Sequence, residues 1–206
     1  LLVIPPGKHR FHESDVYPGF NYLASILKKE GYDVKISNLK SDSKKIVNKL
    51  IKEEDPKIIG IRCLTNERNY SMKLAGMIKK INKNVTIVIG GPHATIMYKQ
   101  MLDHFPIDYI IIGEGEITLL ELVDAIYHNR DTGNIKGIAY KKNNEVIKTM
   151  PRKLISNLDS QPFPYPSYNL SNDPNEIVWI SAARGCAYDC GFCEAKNVWG
   201  VSYRTK

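Results

Sequence analysis

The chain has 206 residues, 43% hydrophobic and 25% charged, enough for one domain with a sizeable core and an appendage. No apolar run approaches the roughly 18 residues of a membrane-spanning helix, so no membrane partner is expected. The net charge of +7 points first to nucleic acid. However, the pairs Lys28-Lys29, Lys44-Lys45, Lys79-Lys80 and Lys141-Lys142 are scattered and not interleaved with aromatics. That is the pattern of a solvated surface, and it argues against a nucleic-acid interface.

Strand and helix patterns alternate along the first two thirds. Residues 1–5 (LLVIP) form a buried-strand run, and residues 18–31 an amphipathic helix closed by Gly31. A second strand is expected over 33–37. A helix over 41–54 follows, with Ser41 as its N-cap. Strands over 57–61, 85–89 and 108–112 alternate with helices over 67–82, 94–104 and 117–128. Five strands joined through helices specify an α/β fold, a parallel sheet covered on both faces. The expected order is flavodoxin-like (Rossmann-type), 2-1-3-4-5. Ligands of such sheets bind at the carboxyl ends of the strands. Here those ends are residues 5–10, 62–66, 90–94 and 113–116.

The pattern changes after residue 130. Two short strands flank Asn143-Asn144, a hairpin signal. A Pro-rich stretch over 151–175 reads as an extended linker. A strand over 177–182 then leads into a cysteine loop. These shifts divide the chain into 1–130, 131–176 and 177–206.

Three of the four cysteines, Cys186, Cys190 and Cys193, fall within eight residues with C-x3-C-x2-C spacing. Three thiolates this close can ligate three irons of a 4Fe–4S cube and leave the fourth iron open. A structural zinc site would want a fourth nearby ligand, and a lone C-x2-C redox pair would not need Cys186. The opening LLVIPPGKHR reads as a strand entering a loop and not as a secretory signal. A cytoplasmic location follows, where clustered thiols signal metal or redox chemistry.

The segment WISAARGCAYDCGFCEAKNVWG resembles the cluster loop of radical S-adenosylmethionine enzymes. The resemblance implies that S-adenosylmethionine chelates the open iron and is cleaved to a 5′-deoxyadenosyl radical, with Phe192 beside the adenosyl group. Read as a residue only, Phe192 serves equally as a core side chain. The strings PGFNYLASILKKEGYDVKI, IGIRCLTN, VIGGPHAT, YIIIGEGE and LDSQPFPYPSY extend the resemblance over nearly the whole chain, to the subfamily in which a cobalamin-binding domain precedes the radical domain.

Carried over by position, the implied cobalamin contacts are Arg62, Cys63, Leu64, Thr65, Asn66, Gly90, Gly91, Pro92, His93, Gly113, Glu114, Gly115 and Glu116. Some have a plainer reading beside that one. His93 follows Gly-Pro at a helix start and could cap backbone groups, and Glu114 and Glu116 could pair with a helix dipole. Two departures stand out. The D-x-H-x-x-G string that supplies an axial histidine is missing, although His9 and His12 lie in the corresponding loop. Arg62 stands where a small hydroxyl residue is usual, and could meet the nucleotide phosphate or close the pocket.

The expectation is therefore the front part of a cobalamin-dependent radical S-adenosylmethionine enzyme. Its cofactors would be a 4Fe–4S cluster, S-adenosylmethionine and cobalamin, and its chemistry methyl transfer to an unactivated centre. Residues 177–206 would begin a partial (β/α) barrel whose remainder lies outside this chain, so the chain alone is expected to be inactive. A reductant such as ferredoxin or flavodoxin and a small-molecule or peptide substrate would be its partners. The alternatives are a non-catalytic cobalamin- or metal-binding module, and a radical oxidoreductase or cyclase that transfers no methyl group.

Overall fold

A computed structural model describes residues 1–6, 18–41, 43–164 and 181–206. The loop carrying His9 and His12, and most of the strand expected over 177–182, lie outside the described residues. Among those described, β1 (Leu2–Ile4), β2 (Ile36–Asn38), β3 (Ile58–Arg62), β4 (Thr86–Gly90) and β5 (Tyr109–Ile111) are parallel neighbours in the order β2-β1-β3-β4-β5. This is the expected flavodoxin-like order. The hairpin β6 (Ile138–Lys142) and β7 (Glu145–Lys148) extends the same sheet antiparallel beyond β5. Asn143 and Asn144 both take positive φ at its tip, 50° and 66°, the requirement of a two-residue turn matched to strand twist.

The strand sequences set two core layers by simple alternation. Val3, Ile59, Ile61, Ile87, Ile89 and Ile110 face a cluster built with helices α2 (Lys44–Glu54), α3 (Arg68–Ile81) and α4 (Pro92–His104). Leu2, Ile4, Ile58, Val88 and Ile111 face the other side, against α1 (Pro18–Lys29) and α5 (Glu116–Tyr127). Strands buried on both faces explain the near-continuous apolar runs.

Helix ends follow their local chemistry. Gly31 (φ 85°) donates to Lys28 O at 3.0 Å and Tyr32 to Leu27 O at 3.0 Å, a Schellman closure that satisfies the last carbonyls of α1. The cap of α2 is Ser43 and not Ser41, since the Ser43 hydroxyl accepts from the Ile46 amide at 3.3 Å. Ser41 acts one step earlier, accepting from the Ser43 amide at 3.2 Å. α4 begins at Pro92, two residues before the expected start, because proline suits the first helical turn.

Beyond the sheet, β8 (Ala183–Cys186) and β9 (Ser202–Thr205) form an antiparallel hairpin around α6 (Ala195–Trp199). Of the strand expected over 177–182, only Ser181 and Ala182 are described; both are irregular, and β8 begins at Ala183. Gly185 explains the register. It sits at φ +88°, and a Cβ there would overlap the carbonyl oxygen of Ser202, so only glycine lets the strands close at this point.

Candidate functional site: the crevice at the strand ends

The carboxyl ends of β3, β4 and β5, with Leu2 of β1 beside them, open into a crevice of about 680 Å³, within the roughly 300–1,000 Å³ typical of ligand pockets. Its deep part runs along the α1/α5 face of the sheet. The side chains there obey the same alternation: Leu2, Gly60, Val88, Gly90, Ile111 and Gly113 all share the crevice side. Phe20 and Leu23 of α1 and Leu119 of α5 complete an apolar channel. Gly60 is its floor. A Cβ at Gly60 would stand 2.7 Å from Leu2 Cδ2, so a side chain here would push into the channel.

Two glycine turns shape the mouth. Gly91 caps α4 at φ +109°, and a Cβ there would lie 2.8 Å from the Cys63 carbonyl oxygen. The β3 and β4 ends are thereby drawn together, with the Cys63 amide donating to Gly90 O at 2.8 Å. Gly113 (φ +77°) donates its amide to Thr95 Oγ1 at 3.0 Å, which ties the β5 loop to α4.

Charge closes the third side. Glu114 and Glu116 flank the start of α5, each side chain only 7% exposed. Arg184 Nη1 lies 2.6 Å from Glu116 Oε1 and 3.5 Å from Glu114 Oε1. Arg204 contacts Glu114 through Nη2 to Oε1 at 2.9 Å and Nη1 to Oε2 at 3.0 Å. Glu114 Oε2 also accepts from the Ile155 amide at 2.8 Å. Burial pushes the Glu114 carboxyl up, but Arg204, the Ile155 amide and Arg184 outweigh it and hold the pKa below its ordinary value. These contacts bring Ala183, Arg184, Gly185 and Cys186, with Ala195 and Trp199 of α6, to the crevice wall.

The cysteine loop runs from the end of β8 to α6. Cys186 and Cys193 are half-buried, Cys190 is exposed, and none is in a disulfide. The Cys193 amide donates to Cys190 O at 3.0 Å in a tight turn. Three free thiols suit an iron–sulfur cluster as a donor set. Among the described residues, no three His, Cys, Asp or Glu side chains are gathered closely enough to hold a metal ion.

The B12 binding domain family matches residues 14–123. This chain belongs to that family. An uncharacterized methyltransferase, PH0819, of Pyrococcus horikoshii is 36% identical over 99% of the chain and 47% of its own length. An anaerobic magnesium-protoporphyrin IX monomethyl ester cyclase of Rubrivivax gelatinosus is 30% identical over 86% of the chain and 34% of its own length. The chain therefore spans less than half the length of these curated relatives. The radical S-adenosylmethionine methyltransferase TsrM of Kitasatospora setae, solved with cobalamin and a [4Fe-4S] cluster bound, shares the fold at a TM-score of 0.73. It is 21% identical, and the match covers all of this chain and 43% of that one.

The apolar channel of this crevice, lined by Phe20, Leu23, Val88, Ile111 and Leu119, is of a size and character that fits part of a large cofactor, and a Cβ at Gly60 would press on Leu2 in its wall. Of the residues expected to touch cobalamin, the crevice brings together Arg62, Leu64, Gly90, Gly91, Pro92, Gly113, Glu114, Gly115 and Glu116. Cys63, Thr65, Asn66, His93 and Phe192 do not line it. Cys63 shares the parity of Ile59 and Ile61, so its thiol points into the opposite core, where burial raises its pKa to about 11. His93 turns to Thr65, with Nδ1 3.2 Å from Oγ1. Burial first, and Arg68 second, lower its pKa. Phe192 is 92% exposed.

Arg62 lines the crevice but is not a free cation. Its Nε donates to Glu67 Oε2 at 3.1 Å and its Nη2 to Oε1 of the same carboxylate, which is itself fully buried. The pair leaves the channel open beside it. No described histidine lines the crevice.

Sequence reasoning missed Gly60, Arg184 and Arg204. Gly60 had a signal, since a glycine inside an otherwise apolar strand often marks a close approach of ligand or backbone. The arginines had none, because their partners lie far away in sequence.

Proposed function

We propose that the chain binds cobalamin in this crevice and presents a 4Fe–4S cluster on Cys186, Cys190 and Cys193. It would do so as the front part of a radical S-adenosylmethionine methyltransferase, with residues 177–206 opening the radical domain. The observation that carries the reading is that Cys186 and the glycine turns of the B12-binding domain wall one crevice, so two cofactors held there would face each other.

This chain's own residues contribute binding and orientation. The apolar channel between Gly60 and Leu119 would hold part of the cobalamin and exclude water from it. Gly90, Gly91 and Gly113 let the corrin ring approach the backbone closely. The Arg62–Glu67 pair neutralises the charge at the end of β3. Cys186, Cys190 and Cys193 would hold a 4Fe–4S cluster, once the loop brings their thiols together, and S-adenosylmethionine would bind beside it. The bound cofactors supply the methyl-transfer and radical chemistry itself, with electrons from a ferredoxin- or flavodoxin-type reductant.

A second reading is a cyclase-type reaction without methyl transfer, favoured by the similarity to the Rubrivivax gelatinosus cyclase. Anaerobic reconstitution with iron and sulfide tests the shared part. A cluster absorbance near 400 nm that Cys190→Ala abolishes supports it, and an unaltered spectrum in that variant sinks it. In the enzyme containing the whole radical domain, methylated product separates methyl transfer from the second reading.

A further inference from the structure

Arg184 and Arg204 are directly opposite each other across the β8–β9 ladder. Like charges in that position oppose strand pairing. The hairpin nevertheless closes here, because Glu116 meets Arg184 at 2.6 Å and Glu114 meets Arg204 at 2.9 Å. The two acids belong to the turn into α5, not to the hairpin. Arg204 Nη1 also donates to Ile155 O at 2.7 Å, and Arg184 stacks over the Tyr22 ring of α1 at 4.8 Å. Cys186 stands two residues beyond Arg184 on the same strand, so its side chain lies on the same face, toward the crevice.

We infer that Glu114 and Glu116 are positioning residues for the cysteine loop. They template the β8–β9 hairpin, hold Cys186 at the crevice wall, and so couple the cysteine loop to whatever fills the crevice. They act on the loop and are not ligands of the cofactor. The inference rests on the proposed function only in taking cobalamin as the occupant. Coupling of this kind is reciprocal: an occupant that braces the crevice wall steadies the hairpin, and a steady hairpin slows the occupant's departure.

Hydrogen exchange on the cofactor-free protein tests the templating. In Glu114→Gln/Glu116→Gln, amides of β8 and β9 should exchange about tenfold faster while β3 and β4 keep their protection. Unchanged exchange in the hairpin overturns the inference. Should the double variant lose protection in β3 as well, Glu116→Gln alone decides by the same criterion, since it leaves the Glu114 contacts in place. Glu116→Asp keeps the charge and should recover most of the lost protection. Bound hydroxocobalamin should also leave the Glu116→Gln protein about fivefold faster than the parent, and equal rates contradict the coupling. A parent protein that takes up no hydroxocobalamin overturns the functional reading instead, and the exchange data then decide the hairpin's attachment by themselves.

Discussion

Arg204 crosses ninety positions of sequence to reach Glu114, placing Nη1 3.0 Å from Oε2 and Nη2 2.9 Å from Oε1. The contact joins the last described strand to the loop after β5. It makes the end of β8, with Cys186, part of the wall of the crevice at the strand ends.

Acid should loosen this contact. The Glu114 carboxyl is held below its ordinary pKa in the fold. A carboxyl depressed by folding contributes stability that is present above its unfolded pKa, about 4.3, and lost as pH falls through the folded value. Thermal midpoints of the parent and Glu114→Gln should therefore differ at about pH 6, and the gap should narrow as pH falls below about 4.3. A gap that stays constant over that range contradicts the assignment.

Gly60→Val should separate binding from stability. The new side chain meets Leu2 Cδ2, the movable end of a flexible group, and valine suits a strand interior. The fold should lose about 1–3 kcal/mol, the usual range for added volume in a packed site, and stay folded. Cobalamin affinity should fall at least about tenfold, or ~1.4 kcal/mol, because the channel floor is filled. Equal affinity in a titration followed by absorbance would show that the cofactor lies elsewhere.

Gly91→Ala should act on the fold itself. The residue sits at φ +109° with the Cys63 carbonyl 2.8 Å from any Cβ, and that oxygen is backbone and cannot swing away. A loss of about 2 kcal/mol or more is expected in urea unfolding. A change below about 0.5 kcal/mol would mean that the β3 and β4 ends are not locked together as described.

Thiol chemistry should sort the four cysteines three to one. Burial lifts Cys63 to about 11, so little thiolate is available at neutral pH. In native apo-protein, iodoacetamide should label Cys186, Cys190 and Cys193 and spare Cys63 until the chain is denatured. Early labelling of Cys63, located by peptide mass mapping, contradicts the buried placement.

Much of this was legible in the sequence, for reasons that particular residues show. The five strands and their helices were legible because each is defined by local periodicity, and the 2-1-3-4-5 order followed from the common arrangement of such alternating units. The same periodicity already held the fate of Cys63, two residues beyond Ile61 and on the same face. Ser41 and Ser43 were not separable, since both precede α2 and only backbone geometry selects the cap. The continuation of the sheet through β6 and β7 was hidden, because a hairpin signal does not say which edge the hairpin joins. The roles of Glu114 and Glu116 were hidden too. Near a helix start an acid reads as a dipole partner, and nothing local announces arginines on a distant hairpin.

Everything proposed for the two cofactors depends on cobalamin occupying the crevice. The most direct measurement is to incubate the apo-protein with hydroxocobalamin, pass it through gel filtration, and read corrin absorbance in the protein peak for the parent and for Gly60→Val. Occupancy of the crevice predicts close to one cobalamin per parent chain and little in the variant. A protein peak free of corrin in the parent, or equal loading in both, would contradict it.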